Sequence, residues 1–192
     1  LISVGNFIIL TYIGVFGEYA VAGFGSATRF EQILLLPVLG LNTAIISIIG
    51  QNFGAKNLLR VQESYFTAIK YGFILMILSG LIIFLSADKI VGIFSNNPVV
   101  IDYGTNYLKI SALIFPAYPI FFISNGFFMA IKKSKNSMYL NVIRNVILPV
   151  PTILVANAID GSFETFFWCY CFANWIYVLC LFVYVRSYIK KK

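Results

Sequence analysis

The sequence contains no histidine, so the side chain that most often shuttles protons or binds metals near neutral pH is missing. Charge is scarce as well: Asp, Glu, Lys and Arg make up 11% of the residues, against about 25% in soluble domains. Acids are the scarcest, seven in 192 residues. The three cysteines have no zinc or redox spacing. Cys169 and Cys171 are two apart and point to different sides of a helix, and Cys180 lies farther on. We read them as small apolar side chains. The stretch GFGSAT that begins at Gly23 lacks the lysine and the spacing of a phosphate loop. With no nucleophile–base set and no metal set, the sequence reads as that of a protein that is not an enzyme, and no cofactor is expected.

What the chain has instead is long apolar runs. Leu1–Gly17, Gln32–Ala55, Tyr71–Ala87, Ile110–Ile131 and Thr165–Val185 carry no charged residue, and Asn136–Ile159 carries only Arg144. Hydrophobic residues make up 60% of the whole. A helix needs about 20 apolar residues to cross a bilayer. The sequence therefore predicts an all-α polytopic membrane protein, with residues 1–192 forming one bundle of six transmembrane helices. Runs such as IILTYIGVF do not alternate polar with apolar as a membrane β-strand would.

The net charge of +7 could suit nucleic acid, but its placement suits a membrane. Lys56, Arg60 and Lys70, then Lys132, Lys133 and Lys135, then Arg186, Lys190, Lys191 and Lys192 fall in gaps on one side of the predicted bundle. Lys89, with Glu18, Asp88, Asp102, Asp160 and Glu164, falls on the other. This is the positive-inside pattern. It places the C-terminus in the cytoplasm of a cell that holds the protein in its inner or plasma membrane. The bases are expected to meet anionic lipid headgroups, and no nucleic-acid partner is expected.

The first run has neither an initiator Met nor a polar lead, so the chain is expected to be a piece of a larger protein, truncated at its N-terminus. The second helix, roughly Val21 to Gln51, has Pro37 and Gly40 near its middle, where a kink is expected. Leu58–Ala68 reads as a separate amphipathic helix on the cytoplasmic surface. A third helix over Ile69–Ser86 offers a close-packing patch at Gly80. The fourth, Asp102–Ala130, holds Pro116 and Pro119, and the fifth, Ser137–Asn157, holds Pro149 and Pro151. Three helices are thus expected to be broken by proline, as in transporters that build sites at such breaks.

Ionisable residues inside a span point to function, because each is costly unless paired or hydrated. Four qualify: Arg29, Glu31, Lys109 and Arg144. Glu31 can pair with Arg29 or Lys109, or can face a water-filled cavity and attract cations. Arg29 and Glu31 do not share a helix face, so each needs a partner elsewhere. Arg144 is expected to snorkel or to hydrogen-bond the carbonyls of a broken helix. Gln32, Asn42, Thr43, Tyr107, Tyr118, Asn125 and Asn174 add a neutral lining, the mixture of rings and amides that lipophilic cations favour. The site candidates are Glu31, Arg29, Asn42, Tyr118 and Asn125.

Two stretches carry a family resemblance: AGFGSATRFEQILLLPVLGLNTAIISIIGQNFGAKN over Ala22–Asn57, and YLKISALIFPAYPIFFISNGFFMAIKKSKNSMYLNVIRNVILPVP over Tyr107–Pro151. Both resemble the multidrug and toxic compound extrusion (MATE) transporters, and the six spans look like helices seven to twelve of that family. The resemblance implies one lobe of a twelve-helix antiporter. Driven by sodium or proton re-entry, it would export lipophilic or cationic small molecules, including drugs, by alternating access. Its partner would be the N-terminal lobe of the same transporter, which would bind most of the coupling ion. The acids that hold a cation in the C-terminal lobe of some members, in helices seven and ten, have no counterpart in Leu1–Gly17 or between Leu108 and Ala130. Glu31 matches a position where the branch with its coupling acid in the N-terminal lobe often has an acid after an Arg. Two alternatives remain open: a lipid-linked glycan flippase of the same superfamily, which would aim several cations into its cavity, and a membrane assembly subunit with no hydrated cavity.

Overall fold

The computed structural model describes residues 2–190. Leu1 and the tail lysines Lys191 and Lys192 lie outside the described residues. Among the described residues the chain is helical, with no strand. It runs through α1 (Ile2–Gly14), α2 (Glu18–Gly54), α3 (Leu58–Gly92), α4 (Pro98–Ile114), α5 (Ala117–Ala130), α6 (Ser134–Val142), a π-helical turn (Ile143–Ile147), α7 (Pro149–Ile159) and α8 (Phe163–Lys190).

Local chemistry sets the boundaries. The Asn57 side chain accepts from the Arg60 N–H at 3.1 Å and opens α3. Asn97 accepts from the Val99 N–H at 2.9 Å, with Pro98 at the first turn of α4, the preferred cap and first-turn residues. Gly17, at φ 97°, makes the turn into α2 in a region that L side chains avoid. The Asp160 carboxylate accepts from the Ser162 N–H and the Thr165 hydroxyl, both at 2.9 Å. Those two donors hold its carboxyl below the usual carboxylate range and fasten the turn before α8.

Among the described residues, four single helical stretches are long and apolar enough to cross a membrane, and α4 with α5 makes a fifth span bent by 56°. The sixth unit, α1, is apolar but has only 13 described residues. Two expectations need correction. Leu58–Ala68 is not a separate surface helix but the first part of a continuous α3. No Gly or Pro interrupts it before Gly72, and its 35 residues, at about 1.5 Å each, outrun a hydrocarbon core of about 30 Å. Its polar end therefore projects beyond the apolar layer. The expected break at Pro37 is absent too: α2 continues through it as a 37-residue helix, with Pro37 on its exposed side. The other two proline sites do interrupt their helices, α4–α5 by the bend and α6–α7 by the π-turn.

The core forms where α2 packs against α3, α4 and α5, while α8 closes over α4, α5 and α7. Glycine allows the closest approaches. A Cβ on Gly23 of α2 would lie 2.7 Å from the Val100 carbonyl oxygen and 2.9 Å from the Gly104 nitrogen of α4. A Cβ on Gly80 would lie 2.8 Å from the Ala112 carbonyl oxygen, so the expected close-packing patch brings α3 onto α4. The obstacles are backbone atoms, which cannot rotate away. Gly23→Ala is therefore expected to destabilise the fold by about 1–3 kcal/mol, read as a lower melting temperature in detergent. Gly40→Ala, on the same helix with nothing within 4 Å of the new atom, should leave melting unchanged or raise it slightly.

Candidate functional site

The Gly23 contact sets α2 beside α4 so that one face of each looks into a shared cavity. From α2 come Phe24, Gly25, Thr28, Glu31, Gln32 and Leu35, a stripe at helical spacing. From α4 come Tyr107, Ser111 and Ile114, again three and four apart. The bend after α4 then turns α5 so that Tyr118, Phe121 and Phe122 complete the wall. The π-turn adds Arg144 and Asn145, α8 adds Phe167 and Tyr170, and Asn6 of α1 stands at the side. The cavity measures about 390 Å³.

Glu31 is buried, 5% exposed. Its Oε2 accepts from the Tyr107 hydroxyl at 2.5 Å and from Ser111 Oγ at 3.1 Å, and its Oε1 accepts from the Tyr118 hydroxyl. These partners are not the expected ones. Arg29 and Lys109 are exposed and do not line the cavity. Among the described residues the only ion pair is the exposed Arg60–Glu63. The carboxylate is held by neutral hydroxyls alone, with no cation fixed beside it.

Arg144 neither snorkels nor caps a broken helix. It is 8% exposed, with its guanidinium 4.2 Å from the Phe121 ring centroid and 4.8 Å from that of Tyr118. Its Nε donates to Asn174 Oδ1 at 3.3 Å. Tyr118 therefore touches both charges, giving its hydroxyl to Glu31 and a ring face to Arg144. The freed backbone groups find other partners. Trp175 Nε1 donates to the Leu113 carbonyl at 3.0 Å beside the bend, and the Tyr177 hydroxyl donates to the Leu140 carbonyl at 3.0 Å beside the π-turn. Such outside donors let a broken helix persist in an apolar layer.

Of the five site candidates, Glu31 and Tyr118 meet at the cavity. Arg29 points away on the exposed side of α2. Asn42 sits against Gly126, its Oδ1 buried without a hydrogen-bond partner. Asn125 accepts from Ser137 Oγ where α5 meets α6. Of the remaining neutral lining residues, Gln32 and Tyr107 face the cavity, whereas Thr43 and Asn174 do not. Thr28, Ser111 and Asn145 were missed. Ser111 was within reach of sequence reasoning, because it stands one helical turn after Tyr107 on the same face.

Comparison with known proteins agrees with this architecture. A FAD transporter of Shewanella oneidensis strain MR-1 is 26% identical over 156 residues, covering 81% of this chain and 34% of the relative. The probable multidrug resistance protein YpnP of Bacillus subtilis strain 168 is 27% identical over 161 residues, covering 84% of this chain and 36% of the relative. The chain thus spans about a third of the length of these curated relatives. A solved structure of a MOP superfamily transporter from Pyrococcus furiosus shares the fold at a TM-score of 0.93 and 22% identity, over 100% of this chain and 44% of that one. The MatE family profile matches residues 1–155, and this multi-pass membrane chain belongs to the MatE family.

Proposed function

We propose that the chain is the C-terminal lobe of a cation-coupled exporter of lipophilic organic cations, with its basic end at the cytoplasmic face of the cell membrane. The N-terminal lobe of the same transporter is its partner. The observation that carries this reading is Glu31, a carboxylate buried inside a span, on the wall of a cavity, held only by hydroxyls. A hydroxyl can donate to a carboxylate and can equally turn a lone pair toward a cation. Glu31, Tyr107, Ser111 and Tyr118 together offer five oxygens, the donor type a hard cation takes. Sodium or a proton can therefore exchange at Glu31 while the hydroxyls reorient, even where the main coupling site lies in the other lobe. Phe24, Phe122, Phe167 and Tyr170 supply ring faces that suit an organic cation.

Arg144 favours a second reading, export of an anionic, phosphate-bearing substrate, because its guanidinium lines the same cavity with no carboxylate bound to it. The Shewanella relative is a FAD transporter, and a flavin nucleotide is such an anion. The leading reading has more support from the lining, because Arg29 and Lys109 both stand outside it. The test is export from cells expressing the full-length protein, with fluorescent lipophilic cations and flavin nucleotides measured side by side. Export of the cations, abolished when both sodium and proton gradients are collapsed, is the expected result. Export of flavin nucleotides alone would move the second reading to the front. Export of neither would favour an assembly subunit.

A further inference from the structure

A second cavity lies away from Glu31, between α6 with the π-turn and the C-terminal half of α8. Its volume is about 560 Å³. Asn136, Tyr139 and Ile143 form one wall, and Tyr177, Cys180 and Tyr184 form the other. The π-turn accounts for its position. Ile143 opens that turn and faces this groove, while the next residue, Arg144, faces the central cavity.

The groove has an apolar depth and a basic mouth. From Tyr184 to Tyr177 it follows seven residues of α8, about 10 Å of helix. At the mouth, Asn136 Nδ2 donates to the Tyr184 hydroxyl at 3.1 Å. Lys135 precedes Asn136 on α6, and Lys132 lies in the turn just ahead of that helix; both are exposed. No acid occurs between Tyr103 and Ile159 or after Glu164, so neither wall carries a carboxylate to neutralise them. Lys133, exposed as well, completes the set: its ammonium lies 4.9 Å from the Tyr188 ring centroid, and Tyr188 stands one turn beyond Tyr184 on the same face of α8.

We propose that this groove is a specific site for one anionic phospholipid, with an acyl chain between Tyr139 and Cys180 and the phosphate at Lys132, Lys133 and Lys135. The argument is charge complementarity joined to shape. A basic pocket at the ends of two membrane helices selects acidic headgroups, and a groove open along the span accepts a chain from the bilayer. The proposal is independent of what Glu31 binds.

The test uses the full-length protein in mild detergent with equal amounts of phosphatidylglycerol and phosphatidylcholine, and native mass spectrometry to count the lipid retained. Wild type is expected to hold one phosphatidylglycerol in clear preference. The Lys132→Gln/Lys133→Gln/Lys135→Gln variant changes only exposed side chains. It should lose on the order of a hundredfold in phosphatidylglycerol affinity, about fivefold for each cation removed. Cys180→Trp fills the groove and leaves the charges in place, and it should also release the lipid. Equal retention of the two lipids by wild type would overturn the proposal, because an unselective lipid annulus would then explain the contact. Unchanged retention in either variant would overturn it as well, as would a groove closed by a second copy of the protein, seen as a dimer without lipid.

Discussion

Glu31→Gln is expected to cut export by at least about tenfold, while the folded protein stays as stable as wild type or becomes slightly more so. The two readouts separate because the carboxylate is poorly compensated. A buried charge loses its hydration, and here only hydroxyls from Tyr107, Ser111 and Tyr118 replace the water. Gln fits the same space and keeps one oxygen acceptor, and its amide can donate to a hydroxyl that turns its lone pair. What it cannot keep is the negative charge. Losing an attraction worth about 1.4 kcal/mol to the exported or coupling cation is enough for a tenfold effect. Export is read from dye leaving preloaded cells, with surface expression measured in parallel, and stability from melting in detergent. A variant that exports normally would place the essential charge in the other lobe. A variant that melts well below wild type would make Glu31 a structural tie.

Much of this was legible in the sequence, because a bilayer simplifies the problem. Charge exclusion marked the spans, and the same scarcity made Glu31 conspicuous as an acid inside one of them. Its partners were less legible. Opposite charges were the natural guess, and Arg29 stood two residues away, but α2 turns Arg29 to the exposed side and the contacts come from α4 and α5. That depends on the Gly23 approach and on the 56° bend that swings Tyr118 into place, both tertiary facts. Proline carried the same ambiguity. Pro116 and Pro119 mark a real break, whereas Pro37 lies on the open side of α2, and nothing in its immediate sequence distinguishes the two cases. The π-turn is the least legible feature. It inserts its extra residue ahead of Pro149, and it is what sends Arg144 into the cavity.

Arg144→Met is expected to cost at least about tenfold in export, and its combination with Glu31→Gln is expected to be non-additive. Methionine replaces the aliphatic stem of arginine and stays apolar beside Phe121, so the variant removes the guanidinium without introducing a new polar group. The guanidinium contributes the charge and its stacking. A desolvated cation over aromatic faces gains about 2 kcal/mol or more, and the Asn174 hydrogen bond fixes the plane of the group. Lysine restores the charge but not the flat stacking surface, so Arg144→Lys should recover only part of the lost activity. The two charges meet through Tyr118, whose hydroxyl binds Glu31 and whose ring lies under Arg144. If they act as one polar unit, removing either disables it, and the double variant should be little worse than the weaker single one. A coupling of about 0.5–3 kcal/mol is the range for residues in one network, and Tyr118→Ala, which removes the shared ring, should abolish it. Strict additivity of the two single losses would mean that Arg144 serves the cavity independently of Glu31. It would then be read as a separate anchor for an anionic group on the substrate.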